Sequence, residues 1–512
     1  MPQELPSEEA VRGRPKRLES ILLALVACLA LALPLLDSLP TLDLLAALIA
    51  ILGVFAVVVY RDRPLACLAA LATTAWCSRT VVDFLGLSIR VEQPAVAVLA
   101  AWLLWRHHAL ILKMARRYVV AIAGIGMWLA AMLLSSYLKA PNPGASLRIE
   151  AWLCISILSA GVAAVLALRL QSNRDAGSAF VLAAVVQVGI ALFALVTGRF
   201  LGIAWGGYWL VDGSGVFRAF ALVWEPNIFG SCVAIVAPFA VDRYIRLGRP
   251  VDLIPLSLVS LGLGIALTRA AWIAVLAGLI SYACIMAVRE NVLVAHVARQ
   301  ISAALIVLVL GSVLGICLTA WGQGASPGLL AQRAPAPQTI QVPALASGIA
   351  IATSSPSATG IPTASPTVGP AIAVDLASGE NVTYRAKQAV QALRDILTSP
   401  AIGLGANSYG QRHVGSSQAN LPDYLSTFPL TVLYESGLVG AAGFGVFVLS
   451  MVLALWRSSD RRLAAPYLAS MAVMAVAYVA TDALRFSQNW LIFGAALGLA
   501  CRPALRGDAD VA

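Results

Sequence analysis

Apolar stretches recur along almost the whole chain, and most are long enough to cross the roughly 30 Å of hydrocarbon in a bilayer. Hydrophobic residues make up 60% of the sequence and charged residues 12%. The mean hydropathy of +0.85 lies well above that of water-soluble proteins. We therefore predict an all-α polytopic membrane protein with about 12–14 transmembrane helices. The predicted spans are residues 21–36, 41–60, 64–77, 92–105, 118–138, 150–168, 176–197, 228–242, 250–268, 270–288, 301–320, 437–456, 464–481 and 487–501.

The basic residues are sorted by loop, so the formal charge of +10 does not indicate nucleic-acid binding. If the basic N-terminal tail is cytoplasmic, 22 of the 35 lysines and arginines fall on the cytoplasmic side, as the positive-inside rule requires. Both termini are then cytoplasmic and the long polar segment before the last three spans is external. This pattern predicts a multi-pass protein of the cytoplasmic (inner) membrane, with its large loop external or periplasmic.

All eight cysteines lie in or beside apolar stretches, and the external segment contains none. This distribution indicates neither a disulfide framework nor a metal site of the CxxC type. The first apolar stretch lacks a cleavage signature and leads into further spans. We therefore expect it to be a membrane helix and not a removed signal peptide.

The external segment has two parts of different composition. Residues 323–377 are rich in Pro, Ser, Thr and Ala and nearly uncharged, which is typical of a mobile linker. From residue 378, apolar residues recur at helical spacing and predict an amphipathic helix that ends before Pro400. We expect it to lie flat on the outer membrane face or over the mouth of the bundle; a solvated connector is the alternative. The predicted regions are a cytoplasmic basic tail (1–20), an N-terminal transmembrane bundle (21–322), a low-complexity external linker (323–377), an external loop with the amphipathic helix (378–428), C-terminal transmembrane helices (429–501) and a cytoplasmic tail (502–512).

The apolar stretch from residue 250 to 288 is about twice as long as one span and has a single charge near its midpoint, Arg269. Because Arg249 and Arg289 flank it on the cytoplasmic side, we predict a hairpin whose tight turn places Arg269 at the outer face. A guanidinium at this boundary is costly to desolvate unless it meets an anion, and its planar fork suits phosphate. The alternative is that Arg269 only extends to lipid headgroups.

A second external arginine, Arg218, precedes the sequence Glu225-Pro226-Asn227 at the start of another span. Pro226 suits the first turn of a helix, and Glu225 or Asn227 can accept hydrogen bonds from its free N–H groups. The functional alternative is that Glu225, close to a cationic site, accepts the proton of a hydroxyl nucleophile.

Several polar residues follow the amphipathic helix. The Gly-x-Gly sequence at 403–405 indicates a tight turn or a close backbone approach. His413 is the only histidine predicted to be external and is a candidate catalytic residue, although a lone histidine is more often inert. Glu435 is expected in the first turns of the next helix, where its charge favours the helix dipole. Asp482 and Arg485, in the last external loop, are expected to pair with each other.

Three stretches between about residues 200 and 445 carry a resemblance to the O-antigen ligase and O-antigen polymerase superfamily of membrane glycosyltransferases. FRAF...EPNIFG resembles the family's arginine followed by a Pro-Asn helix start. LTRAAW resembles its Ser-Arg-Gly-Ala-Trp hairpin. TYRAKQAVQALRDILTSPAIGLGANSYG...LYESGLVG resembles its loop helix, its Pro-x-x-Gly-x-Gly turn and its Glu-x-Gly-Leu-x-Gly helix. The order and the topology of the three stretches make the resemblance specific.

The resemblance implies transfer of a glycan from an undecaprenyl-diphosphate carrier to an acceptor hydroxyl of a lipid or glycan, without nucleotide sugar, metal or other cofactor. External arginines of the family hold the diphosphate, and these positions correspond to Arg218 and Arg269, with Arg385 as a possible third. Fixed guanidiniums in a partly dry site would stabilise the charge that develops on the leaving diphosphate. Glu225 and His413 are the candidate catalytic residues.

One departure from the family pattern bears on the catalytic base. Ligases carry His-Asn about nine residues before the Glu-x-Gly sequence, where this chain has Ser426 and Thr427. Three interpretations follow: a polymerase-type protein with Glu225 as base, substitution by His413 from a shifted position, or an acceptor other than lipid A core. The sequence favours a polymerase or a ligase with an unusual acceptor.

A lipid-linked oligosaccharide flippase or exporter is the main alternative, in which no bond is made. Such a protein needs alternating access but no long external loop, and the sequence shows no repeated half with matching broken helices. An ion-coupled transporter is disfavoured because Asp and Glu are nearly absent from the middle of the spans. A purely structural membrane protein would leave Arg218 and Arg269 unexplained.

Overall fold

The computed structural model describes most of the chain between residues 63 and 507. The predicted spans 21–36 and 41–60, the linker 323–377 and the N-terminal tail lie outside the described residues. The described residues are 63–77, 81–84, 87–90, 92–170, 175–201, 208–210, 217–223, 225–290, 294–320, 380–413, 425–458, 461–483 and 485–507.

Helices dominate the described residues, and two short antiparallel hairpins accompany them. Strand β1 (Val81–Phe84) pairs with β2 (Leu87–Arg90), and β3 (Tyr208–Leu210) pairs with β4 (Phe217–Ala219). A single 3-10 turn at Pro250–Asp252 leads into one of the helices. The helices are α1 (Pro64–Thr74), α2 (Glu92–Arg117), α3 (Val119–Lys139), α4 (Pro143–Arg169), α5 (Asp175–Leu201), α6 (Pro226–Leu247), α7 (Leu253–Ala266), α8 (Arg269–Glu290), α9 (Val294–Ala320), α10 (Glu380–Ile396), α11 (Ser408–Arg412), α12 (Phe428–Trp456), α13 (Arg461–Ala477) and α14 (Ser487–Gly507).

Eight helices within the described residues are long and apolar enough to cross a membrane: α2, α3, α4, α5, α6, α8, α9 and α12. Helices α1, α7 and α13 are apolar but shorter. Every predicted span from residue 64 onward overlaps one helix. The described residues therefore confirm the predicted all-α, multi-pass membrane architecture.

Neighbouring helices approach closely through small residues. Gly124 of α3 lies against Gly443 of α12, and Gly264 of α7 lies against Gly315 of α9. A side chain at any of these glycines would collide with the backbone of the partner helix, so these contacts depend on small residues, as is common between membrane helices. Aromatic rings add a second contact layer, in which Trp128 lies 5.0 Å from Phe444 between ring centroids. Helices α3 and α12 therefore form a tightly joined pair.

The two ends of the bundle differ in structure and charge. One end, called the loop end, carries both hairpins, α10, α11 and the loop at residues 478–486. The other end, called the basic end, carries most of the described cations, as the sorting of charge in the sequence predicts. The cations at the basic end are Arg63, Arg106, Lys113, Arg116, Arg117, Arg169, Arg243, Arg246, Arg249, Arg457 and Arg502.

Candidate functional site

Helix α12 is broken near its start. Gly437 has φ 63° and ψ −167°, which interrupts the helical backbone. The ring of Phe428 lies 5.2 Å from the ring of Phe444 between centroids, whereas 16 residues of straight α-helix would span about 24 Å. Residues 428–436 therefore fold back along residues 438–456. The span predicted from the sequence begins at residue 437 and leaves out the segment before the break.

The loop at residues 400–405, just before α11, fills this break, and we call it the inserted loop. Four backbone hydrogen bonds of 2.8–3.1 Å join it to both sides of the interruption. Such bonds satisfy the N–H and C=O groups that a broken helix leaves without partners, which is essential near the hydrocarbon of a membrane. They run from Leu404 N–H to Tyr434 O, from Gly405 N–H to Glu435 O, from Leu438 N–H to Pro400 O and from Val439 N–H to Ala401 O.

The two glycines of this loop make the insertion possible. Gly403 has φ 81° and Gly405 has φ 98°, a backbone region that other residues rarely adopt. A Cβ atom on Gly403 would lie 2.5 Å from the backbone nitrogen of Gly437, and one on Gly405 would lie 2.8 Å from the Cα of Ser136. The tight turn and the close backbone approach predicted at 403–405 are both present.

Six charged side chains lie at the loop end beside this break, and we call them the charge cluster. Arg485 forms an ion pair with Glu435, and its Nε lies 3.3 Å from Asp482 Oδ2, which confirms the predicted pairing of Asp482 with Arg485. Burial lowers the pKa of Arg485, but the negative charges of Glu435 and Asp482 outweigh burial, so its pKa is raised overall. The members of the charge cluster are Arg90, Glu92, Glu150, Glu435, Asp482 and Arg485.

Glu435 lies in the first turns of α12, as predicted, but the break follows it directly, so the predicted role as a charge at the helix N-terminus was wrong. Helix α12 begins at Phe428, and Glu435 lies at the break, at the end of the folded-back segment. Its side chain is buried, pairs with Arg485 and accepts a hydrogen bond of 2.6 Å from the N–H of Asn407. Glu435 therefore holds the inserted loop to the α13–α14 loop and does not serve as a helix-terminal charge.

Helix α3 connects the charge cluster to the inserted loop through two adjacent serines. Ser136 Oγ donates to Glu150 Oε1 over 2.7 Å and accepts from the N–H of Ala406 over 2.8 Å. Ser135 Oγ donates to the carbonyl of Glu435 over 2.5 Å. The carboxylate of Glu150 and the backbone of Glu435 are therefore held by the same short stretch of α3.

Arg90, the last residue of β2, is the second arginine of the charge cluster. Its guanidinium lies 4.9 Å from the ring centroid of Trp152 and 5.1 Å from that of Phe486, within the range of cation–π attraction. Nη1 also donates to the carbonyl of Arg485 over 3.3 Å. Burial is the main influence on Arg90 and lowers its pKa. With two arginines and four acids, the cluster is not suited to hold an anion.

Arg218, on β4, closes the C-terminal end of α7. Its Nε donates to the carbonyl of Ala266 over 3.2 Å, and its Nη2 donates to the carbonyls of Ala266 and Leu267 and to Asn227 Oδ1. The last carbonyls of a helix lack partners within the helix, and a cation stabilises the negative end of its dipole. Arg218 therefore fixes the turn between α7 and α8.

Arg269 is the first residue of α8 and is exposed, after a turn of two residues that follows α7. The predicted tight turn between two apolar helices is present, and Arg269 follows it directly. Thr268 Oγ1 lies 3.1 Å from the carbonyl of Pro226, so the N-terminal ends of α6 and α8 meet at this point. We call Arg218, Asn227, Thr268 and Arg269 the arginine corner. A cation at a helix N-terminus opposes the dipole, so the position of Arg269 does not favour helix stability.

The predicted capping of α6 by Glu225 or Asn227 was wrong. Glu225 occupies the residue before the helix, and Pro226 takes the first helical position as predicted. The side chain of Glu225 makes no capping hydrogen bond, and Asn227 Oδ1 accepts from Arg218 Nη2 over 3.0 Å. The guanidinium competes for the oxygen that would otherwise cap the helix.

The predicted amphipathic helix corresponds to α10, and its polar side chains contact other elements. Arg385 Nη1 donates to the carbonyl of Ala480 over 2.6 Å, so this arginine contacts the loop at 478–486. His413 Nε2 lies 2.7 Å from Asp395 Oδ2, and the hydroxyl of Tyr434 donates to the same oxygen over 3.0 Å. His413 is therefore held in a fixed orientation by a carboxylate.

The loop at 478–486 contacts α10, the start of α6 and the break in α12. The carbonyl of Ala480 accepts from Arg385, and Thr481 Oγ1 lies 3.4 Å from Ser231 Oγ in the first turns of α6. Arg485 in the same loop pairs with Glu435. The three motif stretches thus meet at the loop end of the bundle, although they are separated by up to about 200 residues in the sequence.

The charge cluster was not predicted as a site. The sequence predicts Glu435 as a helix-terminal charge and Asp482 and Arg485 as a pair, and it assigns no role to Arg90, Glu92 or Glu150. The signal was present, because ionisable residues within apolar helices are rare and mark functional positions, and Glu150 stands in the apolar helix α4. What the sequence did not show is that residues from β2, α2, α4, α12 and the α13–α14 loop converge.

No protein-family profile matches this chain, and no curated protein sequence matches it. The resemblance to the O-antigen ligase and polymerase superfamily therefore rests on the three motif stretches. The position of these stretches at one end of the bundle is an independent geometric observation.

Replacing Glu435 with glutamine is expected to lower the free energy of unfolding by about 2–3 kcal/mol, because it leaves the partly buried Arg485 with only Asp482 as a counter-charge. The test is a double-variant cycle of Glu435→Gln and Arg485→Gln, measured by thermal or denaturant unfolding in detergent. The double variant should lose at least about 1 kcal/mol less than the sum of the two single losses. Strict additivity would show that the ion pair does not hold this end together.

Proposed function

We propose that this chain is a membrane glycosyltransferase of the O-antigen ligase or polymerase type. It transfers or polymerises a glycan from an undecaprenyl-diphosphate carrier onto an acceptor hydroxyl. The loop end faces outward and the basic end faces the cytoplasm, in accord with the positive-inside rule. The reaction then takes place at the outer face of the cytoplasmic membrane.

One observation carries this proposal: the three motif stretches are joined at the loop end by the loop at 478–486. Arg385 contacts this loop directly, the start of α6 contacts it through Ser231, and the turn before α8 contacts the start of α6 through Thr268. Residues that are distant in sequence but share one region are what a single active site requires.

The arginine corner is the proposed site of the carrier diphosphate. Two helix N-termini meet there, and helix N-termini attract anions through their free N–H groups and dipoles. Arg269 adds an exposed guanidinium, and Arg218 adds a second positive charge whose position is fixed by the end of α7. Arg385 is a third candidate. Fixed positive charges of this kind stabilise negative charge that develops on a leaving group.

In the proposed reaction, the oxygen of the acceptor hydroxyl bonds to the anomeric carbon of the donor sugar while the bond from that carbon to the diphosphate oxygen breaks. The diphosphate leaves with the electron pair, and a protein base takes the hydroxyl proton. Glu225 and His413 are the candidate bases. The hydrogen bond of His413 to Asp395 over 2.7 Å favours His413, because a carboxylate that orients an imidazole supports its action as a base.

A lipid-linked oligosaccharide flippase is the second candidate, and one structural observation favours it. Discontinuous helices such as α12 are typical of substrate sites in transporters. A flippase would move the carrier across the membrane without breaking the bond between glycan and diphosphate.

The two functions are separated by one assay with purified wild-type protein in liposomes that contain undecaprenyl-diphosphate-linked oligosaccharide. Products are resolved on a gel as glycan ladders. Longer carrier-linked glycans indicate a polymerase, and a single transfer to an added acceptor indicates a ligase. Movement of the donor across the bilayer without any new bond would contradict the enzyme proposal and support the flippase.

A further inference from the structure

The last part of α2, residues 108–117, is a separate helical piece at the basic end, and we call it the connecting segment. His107 has φ −129° and ψ 27°, which interrupts the helical backbone just before it. Tyr118 has φ −108° and ψ 28° just after it. The connecting segment therefore joins α2 to α3, and both of these helices are candidate membrane-spanning helices.

One side of the connecting segment is fixed to the bundle. Met114 is buried, and Leu110 and Ile111 are partly buried against the hydrophobic core. The hydroxyl of Tyr118, next to the segment, donates to the carbonyl of Leu497 over 3.4 Å. The opposite side of the segment is therefore turned away from the bundle.

This outward side is cationic, and we call its exposed residues the basic face: Leu112, Lys113, Arg116 and Arg117. Residues three or four positions apart are neighbours on a helix surface, so the four side chains form one continuous patch. No acidic residue occurs from residue 93 to 149, and within the described ranges none of these cations forms an ion pair with a carboxylate. Because like charges at this spacing repel each other, an external anion would stabilise the face.

The surroundings of the basic face favour a lipid headgroup as that anion. Val119 and Val120, which begin α3, are each 59% exposed directly after the segment. Trp105, which is 78% exposed, precedes the segment, and tryptophan is enriched at the depth of the headgroups. At a rise of about 1.5 Å per residue, Lys113 lies within about 10 Å of Val119 along the chain. The cations are therefore close to side chains that face hydrocarbon, and a soluble anion would leave these apolar side chains uncovered.

We propose that the basic face binds the anionic headgroups of phospholipids in the leaflet at the basic end. Arg116 and Arg117 can donate paired hydrogen bonds to phosphate, and Lys113 adds a point charge. Leu112 and Trp105 extend into the boundary of the acyl chains. Cations near the C-terminal end of a helix also favour its dipole, but the dipole does not require an exposed tryptophan and leucine beside them. This inference goes beyond the proposed function and does not depend on it, because it applies to a transporter as well as to a glycosyltransferase.

The test is photo-crosslinking in nanodiscs that contain equal amounts of anionic phosphatidylglycerol and zwitterionic phosphatidylcholine with identical acyl chains. Leu112 is replaced by the photoreactive residue p-benzoylphenylalanine. The reference protein carries the same residue at Leu310, which is 64% exposed in the middle of the candidate span of α9. Each protein is irradiated, and the lipid adducts are identified by mass spectrometry of the crosslinked peptides.

We expect the ratio of phosphatidylglycerol to phosphatidylcholine adducts to be at least about fivefold higher at Leu112 than at Leu310, the enrichment that one cation near an anionic lipid provides. Combining Lys113→Gln with Arg116→Gln should bring the ratio at Leu112 to within about twofold of the reference. The matched control combines Arg249→Gln with Arg457→Gln, which removes two exposed cations from the basic end but none from the basic face. This control should leave the enrichment unchanged.

Equal adduct ratios at Leu112 and Leu310 would overturn the proposal. An equal loss of enrichment in the two double variants would also overturn it, because only the overall charge of the protein would then matter. A crosslink from Leu112 to a second copy of the chain would assign the basic face to a protein contact and contradict lipid binding. A monodisperse elution profile verifies that each variant is folded, and Ala109, exposed on the same side of the segment, provides a second crosslinking position if the variant at Leu112 fails this criterion.

Discussion

Replacing Arg269 with alanine is expected to reduce the rate of glycan transfer by roughly 100- to 1,000-fold, the usual loss when one fixed charge that stabilises a transition state is removed. The folded protein should be retained, because Arg269 is exposed and begins a helix where a cation opposes the dipole. The measurement is the initial rate of product formation from undecaprenyl-diphosphate-linked oligosaccharide, together with the yield of monodisperse protein.

Arg249→Ala is the matched control, because Arg249 is also an exposed arginine and lies beyond the other end of α7, at the basic end. Its transfer rate should equal that of the wild type. A rate unchanged by Arg269→Ala would exclude this arginine from the diphosphate site. Loss of folded protein would instead assign Arg269 a structural role. Arg218→Ala is less decisive, since it removes both a charge and the hydrogen bonds that close α7.

Replacing Gly437 with alanine is expected to lower the free energy of unfolding by about 3 kcal/mol or more. Its φ of 63° with ψ of −167° lies in a backbone region that is essentially restricted to glycine and costs about 1–3 kcal/mol for a residue with a Cβ atom. The added methyl group would also lie 2.5 Å from the nitrogen of Gly403, and overpacking of this kind costs about 1–3 kcal/mol. The midpoint of thermal unfolding in detergent reports the loss.

Gly445→Ala is the control on the same helix, because a Cβ atom there has no neighbour within 4 Å. It should leave the unfolding midpoint unchanged or raise it slightly, as alanine favours helix over glycine. Limited proteolysis adds a local measurement, since the inserted loop at 400–405 should become accessible only in Gly437→Ala. Equal midpoints and equal cleavage in the two variants would show that the break in α12 is not fixed by this glycine.

The sequence predicts much of the fold, because crossing a membrane imposes a simple requirement on composition. Twelve apolar stretches coincide with helices in the described residues, and α10 follows from the helical spacing of its apolar residues. The turn at 403–405 follows from its two glycines, which tolerate a positive φ. The tight turn before Arg269 follows from the position of a single charge in a long apolar stretch.

The candidate site is less predictable, because its geometry depends on contacts between distant parts of the chain. The break in α12 exists because residues 400–405 supply hydrogen bonds to it, and no local signal in LYESGLVG specifies that insertion. Arg218 donates a hydrogen bond to the end of α7, 48 residues later. It also donates to Asn227 Oδ1, which therefore does not cap α6. Glu435 pairs with Arg485, 50 residues later in the chain. The position of Glu435 in the sequence does not indicate this partner.

The most direct test of the central claim is the mass of the carrier lipid after incubation of the purified wild-type protein with undecaprenyl-diphosphate-linked oligosaccharide and acceptor. A glycosyltransferase breaks the bond between the sugar and the diphosphate, so the account predicts that glycan-free undecaprenyl diphosphate accumulates in step with the product. If all of the carrier keeps at least its original glycan and no free undecaprenyl diphosphate forms, the proposed function is wrong.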